Sequence, residues 1–358
     1  MRDRPPSDHS SRGTRLDSSI DAPPPTPSIG ILLANVGSPE APTPAALRRY
    51  LAEFLGDPRI VELPRWLWLP ILHGIVLQTR PRRSAALYRR IWTEHGSPLL
   101  TICRSQAEGI SQALEARLGH RPQVAIGMRY GQPSIGRALR QLAQADADRL
   151  LIFPLYPQYS ATTTASALDA AFGELGHWRN IPEVRTIRDY HQHPGYLAAV
   201  ALSVQEHWET SGRPDRLLIS FHGIPEGYVR SGDPYPDQCR ITARHIAERL
   251  ELSDAEWGIS FQSRLGPVRW LTPYTDELLM EWARAGVRRV QVLAPGFSSD
   301  CLETLDELDR EAREAFLQAG GESFAYIPAL NVRPDHLACL SQIVLANLQG
   351  WIPTAATS

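Results

Sequence analysis

Two stretches, "PQYSATTTAS" (157–166) and "PGFSSDCLET" (295–304), overlie one another when the chain is shifted by 138 residues. Pro157 then meets Pro295, Tyr159 meets Phe297 and Ser160 meets Ser298. Each stretch follows an apolar run and precedes a segment of helical period, as a parallel strand entering a helix does. The surrounding runs extend the match. "IGILLANVG" (29–37), "QVAIGMRYG" (123–131), "RLLIFPLYP" (149–157) and "EVRTIRDY" (183–190) form one set of four. "RLLISFHG" (216–223), "EWGISFQS" (256–263), "RRVQVLAPG" (288–296) and "ESFAYIPA" (322–329) form another. Continuous apolar strands between helices predict a parallel sheet covered on both faces. The expectation is an α/β protein of two duplicated halves with a cleft between them. Ligands bind beyond the carboxyl ends of such strands. Asn35, Arg129, Tyr130, Tyr156, Tyr159, His222, Gln262 and residues 297–303 are expected there.

A chain of 358 residues suits two domains, each with its own core. The expected division is a disordered extension over 1–28, domains over 29–200 and 201–348, and a tail over 349–358. Residues 1–28 are rich in Pro, Ser, Asp and Arg and lack the apolar core of a signal peptide. The interval 38–122 has no counterpart in the second half. It holds the longest apolar run, "WLWLPILHGIVL" (66–77), too short to span a bilayer, which takes about 20 residues. That run reads either as a buried helix or as an interfacial lip near 60–85. Its two tryptophans and the neighbouring Arg65, Arg80, Arg82 and Arg83 suit a membrane surface. A cytoplasmic protein touching a membrane peripherally is expected.

Several chemistries are excluded. A net charge of −2 leaves no basic excess for a nucleic-acid partner. No lysine occurs, which removes phosphate-loop, Schiff-base and pyridoxal-phosphate lysines. Cys103, Cys239, Cys301 and Cys339 lie far apart without a C-x-x-C, against a zinc ribbon or a locally bound iron–sulfur cluster. "ANVGSP" has a single glycine, against a dinucleotide cofactor.

His222 ends a strand, where an imidazole can reach a cleft and titrate near neutrality; a satisfied structural histidine is the plainer alternative. Asp300, Glu303, Glu307 and Glu311 form an acidic stripe at helical spacing. Asp300 and Glu303 fit a capping box at a helix N-terminus. Glu307 and Glu311 lie beyond the dipole's reach, on a solvated face balanced by Arg310 and Arg313 or on a path for a cation or protons. Tyr130, Tyr156, Tyr159, Tyr190 and Trp270 are core aromatics or stacking surfaces for a flat ligand.

Six segments in order resemble ferrochelatases, which insert Fe2+ into a porphyrin in haem synthesis. They are "LLANVGSP", "GMRYGQPSI", "FPLYPQYSATTTAS", "SFHGIPEGYVRSGDPYPDQCRITA", "FQSRLGPVRWLTPYTDE" and "PGFSSDCLETLDELD", spread from about Ile29 to about Leu348. The resemblance implies two Rossmann-like domains, each a four-stranded parallel sheet flanked by helices, around a nucleotide-free cleft. It implies that His222 and Glu303 are catalytic on opposite faces of the ring, with His222, Glu303, Glu307 and Asp300 as the metal set. It implies that Asn35, Tyr88, Arg129, Tyr130, Tyr156, Tyr159, Ser160 and Trp270 bind the porphyrin, and that 66–77 is a membrane-facing lip.

Protoporphyrin IX and Fe2+ are the expected substrates. Coproporphyrin III, a cobalt-accepting ring, or a non-enzymatic porphyrin carrier are the alternatives. Cys301 stands where many relatives have histidine; its sulfur either adds a soft ligand, open to Zn2+ as well as Fe2+, or packs. Some relatives hold a [2Fe–2S] cluster near the C-terminus. Beyond Ser323 this chain has Cys339 alone, so no cluster and no resident cofactor is expected. Monomer and homodimer both stay open.

Overall fold

The computed structural model describes residues 28–264, 266 and 268–352. Most of the expected N-terminal extension (1–27) and the end of the expected tail (353–358) lie outside the described residues. The first half runs β1 (Ile29–Ser38), α1 (Pro44–Gly56), α2 (Arg65–Ile71), α3 (Leu77–Ile91), α4 (Pro98–Leu118), β2 (Gln123–Gly131), α5 (Ile135–Gln144), β3 (Arg149–Pro154), α6 (Ser166–Leu175) and β4 (Glu183–Thr186). After α7 (Pro194–Ser211) come β5 (Arg216–His222), α8 (Glu226–Arg230), α9 (Tyr235–Arg249), β6 (Trp257–Gln262), α10 (Thr275–Arg284), β7 (Arg289–Leu293), α11 (Arg313–Gln318), β8 (Ser323–Ile327) and α12 (Pro334–Asn347). Three π-helical segments interrupt this series, at Leu72–Val76, Ala161–Ala165 and Glu303–Ala312.

The sheets have the same order, β2-β1-β3-β4 and β6-β5-β7-β8, and every pair is parallel. That identity of topology is the duplication expressed in three dimensions. The inner strands β1, β3, β5 and β7 are largely apolar because both faces are buried, whereas the edge strand β4 is polar and partly exposed. On one face, Ile31, Leu33, Leu151 and Phe153 join Leu217, Ile219, Phe221 and Leu293 in a single core. Ile110 of α4, Val204 of α7, Ala243 of α9 and Leu340 of α12 fill the space between them. The opposite faces have separate cores, Leu32, Leu150 and Ile152 under α5 and α6, and Leu218, Val290 and Val292 under α10 and Phe316. The halves therefore share their central core. The expected boundary at 200/201 falls inside α7, and α12 packs back against α4 of the first half.

The insertion after β1 builds a small core of its own from Leu47, Tyr50, Leu55, Leu72, Leu77 and Tyr88. Its outer surface stays apolar. Trp66 is 79% exposed and Ile75 62%, with Leu63 and Leu67 beside them in sequence. The run 66–77 is thus a lip whose inner side alone is buried. Among the described residues no helix is long and apolar enough to cross a membrane.

Candidate active site

His222 is the last residue of β5, half-buried, and its neighbour across the sheet is Gln262 of β6. Its Nδ1 lies 2.6 Å from the Gly223 carbonyl oxygen. A carbonyl only accepts, so Nδ1 carries a hydrogen, and in the neutral ring the lone pair is on Nε2. Gly223 has no room for a side chain: a Cβ would come within 2.9 Å of the Gln262 carbonyl and 3.3 Å of the Trp270 indole. Trp270, half-buried, therefore lies directly against the turn that carries the imidazole.

Gln262 links this strand end to the acidic segment. Its carboxamide accepts from Ser220 at 2.9 Å and donates to the Glu303 carbonyl at 3.0 Å. That carbonyl opens the segment Glu303–Ala312, which is π-helical where the residue pattern suggested an α-helix. A side chain entering the backbone ladder is a known cause of such widening, and π segments recur at functional sites. The coil carries the Glu307 carboxylate to the end of β6, whereas Glu303 borders the end of β1. Glu307 takes the Ser263 amide at 2.6 Å and also the Ser263 hydroxyl. Ser263 makes these bonds from a left-handed backbone, φ 65°. Burial pushes the Glu307 carboxyl up to about 7, helped by the charges of Glu303 and Glu311 and opposed by Ser263.

Glu303 faces a small recess shared with Gly37, Ser38, Tyr50, Tyr88, Ser97 and Cys301. Burial and the Glu303 charge hold the Tyr50 and Tyr88 phenols well above their usual range, so both remain neutral. Tyr156 is half-buried, and burial holds its phenol well above the usual range. Tyr159 is half-buried under the Arg188 guanidinium, 4.3 Å from its ring centroid.

Other expected site residues turn their polar atoms into the frame. Asp300 is buried and accepts from Tyr326 at 2.7 Å, Asn331 at 2.6 Å and Thr304 at 2.9 Å. Tyr326 and Thr304 hold its Oδ1 and Asn331 its Oδ2, so the carboxylate is tied into the frame. Its amide donates to Asn331, so the capping box with Glu303 does not form either. Asn35 spends its amide on Cys103 and the Val36 N–H. The Ser160 hydroxyl donates to Asp233 across the two halves at 2.8 Å. Tyr130 is 1% exposed, with its hydroxyl between Asp57 at 2.7 Å and Ser166 at 3.1 Å. Arg129 donates to Ser166 at 2.6 Å and pairs with Asp57, keeping 22% of its side chain in solvent. The polar atoms of Asn35, Tyr130 and Ser160 are thus bonded within the frame. Among the described residues no three His, Cys, Asp or Glu converge on one point, so the expected set is not a preformed chelate.

Cys301 is buried and borders the same recess as Glu303. It lies with Leu99, Cys103 and Met128 in a buried cluster. Burial first, then the charge and hydrogen bonding of Glu303, push its thiol well up. Asp57 was not singled out by the sequence. It collects Arg129, Tyr130, Ser166 and the Arg59 amide, whose combined pull lowers its pKa despite burial. Nothing in "FLGDPRI" separates it from an ordinary residue after a helix.

Residues 28–348 match the family model described as Ferrochelatase. The chain belongs to the ferrochelatase family. Ferrochelatase of Nitrosococcus oceani is 53% identical over 323 residues, 90% of this chain and 88% of that one. Ferrochelatase of Thioalkalivibrio sulfidiphilus is 52% identical over 94% of this chain and 92% of its own. Ferrochelatase 1 of Shewanella oneidensis is 48% identical over 92% and 98%. Among solved structures, SirB from Bacillus subtilis with Fe3+ aligns with a TM-score of 0.52 at 12% identity, covering 92% of this chain and 100% of that one. That distant likeness bears on the fold, the duplicated Rossmann-like architecture. As a ferrochelatase the chain is an enzyme that inserts a metal into a porphyrin.

Proposed function

We propose that this ferrochelatase inserts Fe2+ into protoporphyrin IX, releasing two protons and giving protohaem, with His222 and Glu303 on opposite faces of the ring. The observation that carries this assignment is the His222 tautomer, with the neutral ring's lone pair on Nε2, joined through Gln262 to the Glu303 backbone. A flat porphyrin resists metalation because two N–H protons fill its centre and the ion must shed water. Binding a bent ring exposes the nitrogen lone pairs and their protons. Nε2 of His222 is then the base that takes pyrrole protons. Glu303 stabilises the incoming charge from the other side. Glu307, held by Ser263 and balanced near neutral pH, passes cations or protons along the π-helical segment.

Tyr88, Tyr156, Tyr159, Trp270 and Arg129 are the proposed macrocycle contacts. The lip's exposed Leu63, Trp66, Leu67 and Ile75 favour an apolar ring delivered from a membrane surface, hence protoporphyrin over the four-carboxylate coproporphyrin. We place the protein in the cytoplasm, peripherally membrane-bound, without a resident iron–sulfur cluster.

The test is anaerobic incubation of the protein with Fe2+ and each porphyrin, alongside the His222→Ala variant. Protoporphyrin should be metalated fastest, and the variant should bind it without inserting iron. Faster metalation of coproporphyrin overturns the substrate assignment, and unchanged turnover of the variant removes His222 from the mechanism.

A further inference from the structure

The chain between His222 and Asp233 crosses to the first half in two places. Asp233 accepts from the Ser160 hydroxyl and the Ala161 amide, each at 2.8 Å. The other crossing is Tyr228 of α8. Its hydroxyl donates to the Ile60 carbonyl at 3.0 Å and accepts from the Glu62 amide at 3.4 Å. Residues 57–62 are the stem from which the exposed lip projects. One end of that stem is fixed to its own half, because Asp57 is bound by Arg129, Tyr130 and Ser166. The other end is held across the molecule by Tyr228, whose ring packs against the shared core.

We infer that Tyr228 is a positioning residue, a latch that holds the lip stem against the segment carrying His222 and so sets how long a porphyrin stays in the cleft. The inference rests on the porphyrin reading above. A bulky planar substrate enters and leaves past the lip, so the state in which the Tyr228 bonds are broken is the exchanging state. Each departure breaks these bonds and each closure remakes them. Removing the hydroxyl while keeping the ring favours the open state without disturbing the core contact. The loss of one ordinary hydrogen bond corresponds to about fivefold in that equilibrium.

The test is Tyr228→Phe in the full chain, with Arg230→Ala as a control, since Arg230 lies on the same helix but in solvent. Release of metal-free protoporphyrin IX, followed by stopped-flow fluorescence, should quicken about fivefold in Tyr228→Phe. KM for porphyrin should rise by a similar factor with kcat no lower than wild type, and the control should change neither. An unchanged release rate, or a fall in kcat at constant KM, overturns the latch. Hydrogen exchange at Arg59–Glu62 in the ligand-free protein gives a reading independent of porphyrin. Exchange should be faster in Tyr228→Phe, and identical exchange overturns the latch whatever the cleft binds. A wild-type protein that fails to bind protoporphyrin overturns the substrate assignment alone.

Discussion

Replacing Glu307 by glutamine should reverse the sign of a stability difference as pH rises. The folded protein holds the Glu307 carboxyl at about 7 against an ordinary 4.5. The folded state therefore binds that proton more tightly than the unfolded one. Its contribution is intact below about pH 4.5 and is lost as pH climbs through about 7. Two and a half units correspond to about 3 kcal/mol at most. Glutamine cannot titrate, so it escapes that loss. Its amide nitrogen cannot accept from the Ser263 hydroxyl, so that bond must reverse, with the amide donating to the hydroxyl oxygen, a poorer fit costing up to about 1 kcal/mol. The variant should be about 1 kcal/mol less stable than wild type at pH 4 and about 2 kcal/mol more stable at pH 8. The curves should cross between about pH 5 and 6. Urea unfolding of both proteins at each pH measures this, and the difference cancels every other titrating group. A pH-independent difference would mean that Glu307 ionises normally in the folded state, and the burial argument would fail. Iron insertion by the variant should be slower even where it is the more stable protein, as expected of a group kept for function.

Glu303→Gln should lower turnover by about 100-fold while leaving the melting temperature near wild type, because Asn331 rather than Glu303 holds the Asp300 amide. A lower melting temperature with unchanged turnover would refute this. Asp300→Ala should do the reverse, costing about 3 kcal/mol or more by stranding Tyr326, Asn331 and Thr304; normal urea stability would contradict its framework role. Exchanging Trp66 and Ile75 together for serine should weaken binding to anionic phospholipid vesicles about tenfold, without slowing metalation of detergent-dispersed porphyrin. Equal vesicle binding would remove the lip from membrane contact.

The fold was legible because a parallel sheet buried on both faces leaves apolar runs in its inner strands, and eight strand segments recur in one order. Their ends were less so: β3 stops at Pro154 and β4 at Thr186, short of the apolar or aromatic residues that follow. Those residues pack beyond the ladder, and periodicity cannot distinguish packing from pairing. The π-helical form of 303–312 was hidden because a four-residue spacing of carboxylates suits either coil. Asp300 and Glu303 are alike in the sequence, and only Tyr326 and Asn331, arriving from β8 and the loop after it, divide scaffold from site. Asp57 gave no local signal, since its importance lies in three donors from distant segments, Arg129, Tyr130 and Ser166. The strand-end place of His222 was legible from the apolar run before it, whereas the Gly223 carbonyl that holds its Nδ1 was not.

The core shared by the two sheets has a mechanical consequence. A clamshell enzyme closes on its substrate by rotating one lobe about a hinge, but here Leu33, Phe153, Ile219 and Phe221 belong to a single packed interior. Separating the lobes would tear that interior open. What can give way is peripheral, at the lip and around the strand ends. Between a rigid jig and a pliable disc, it is the disc that bends, so the scaffold can spend binding energy on doming the ring rather than on moving itself.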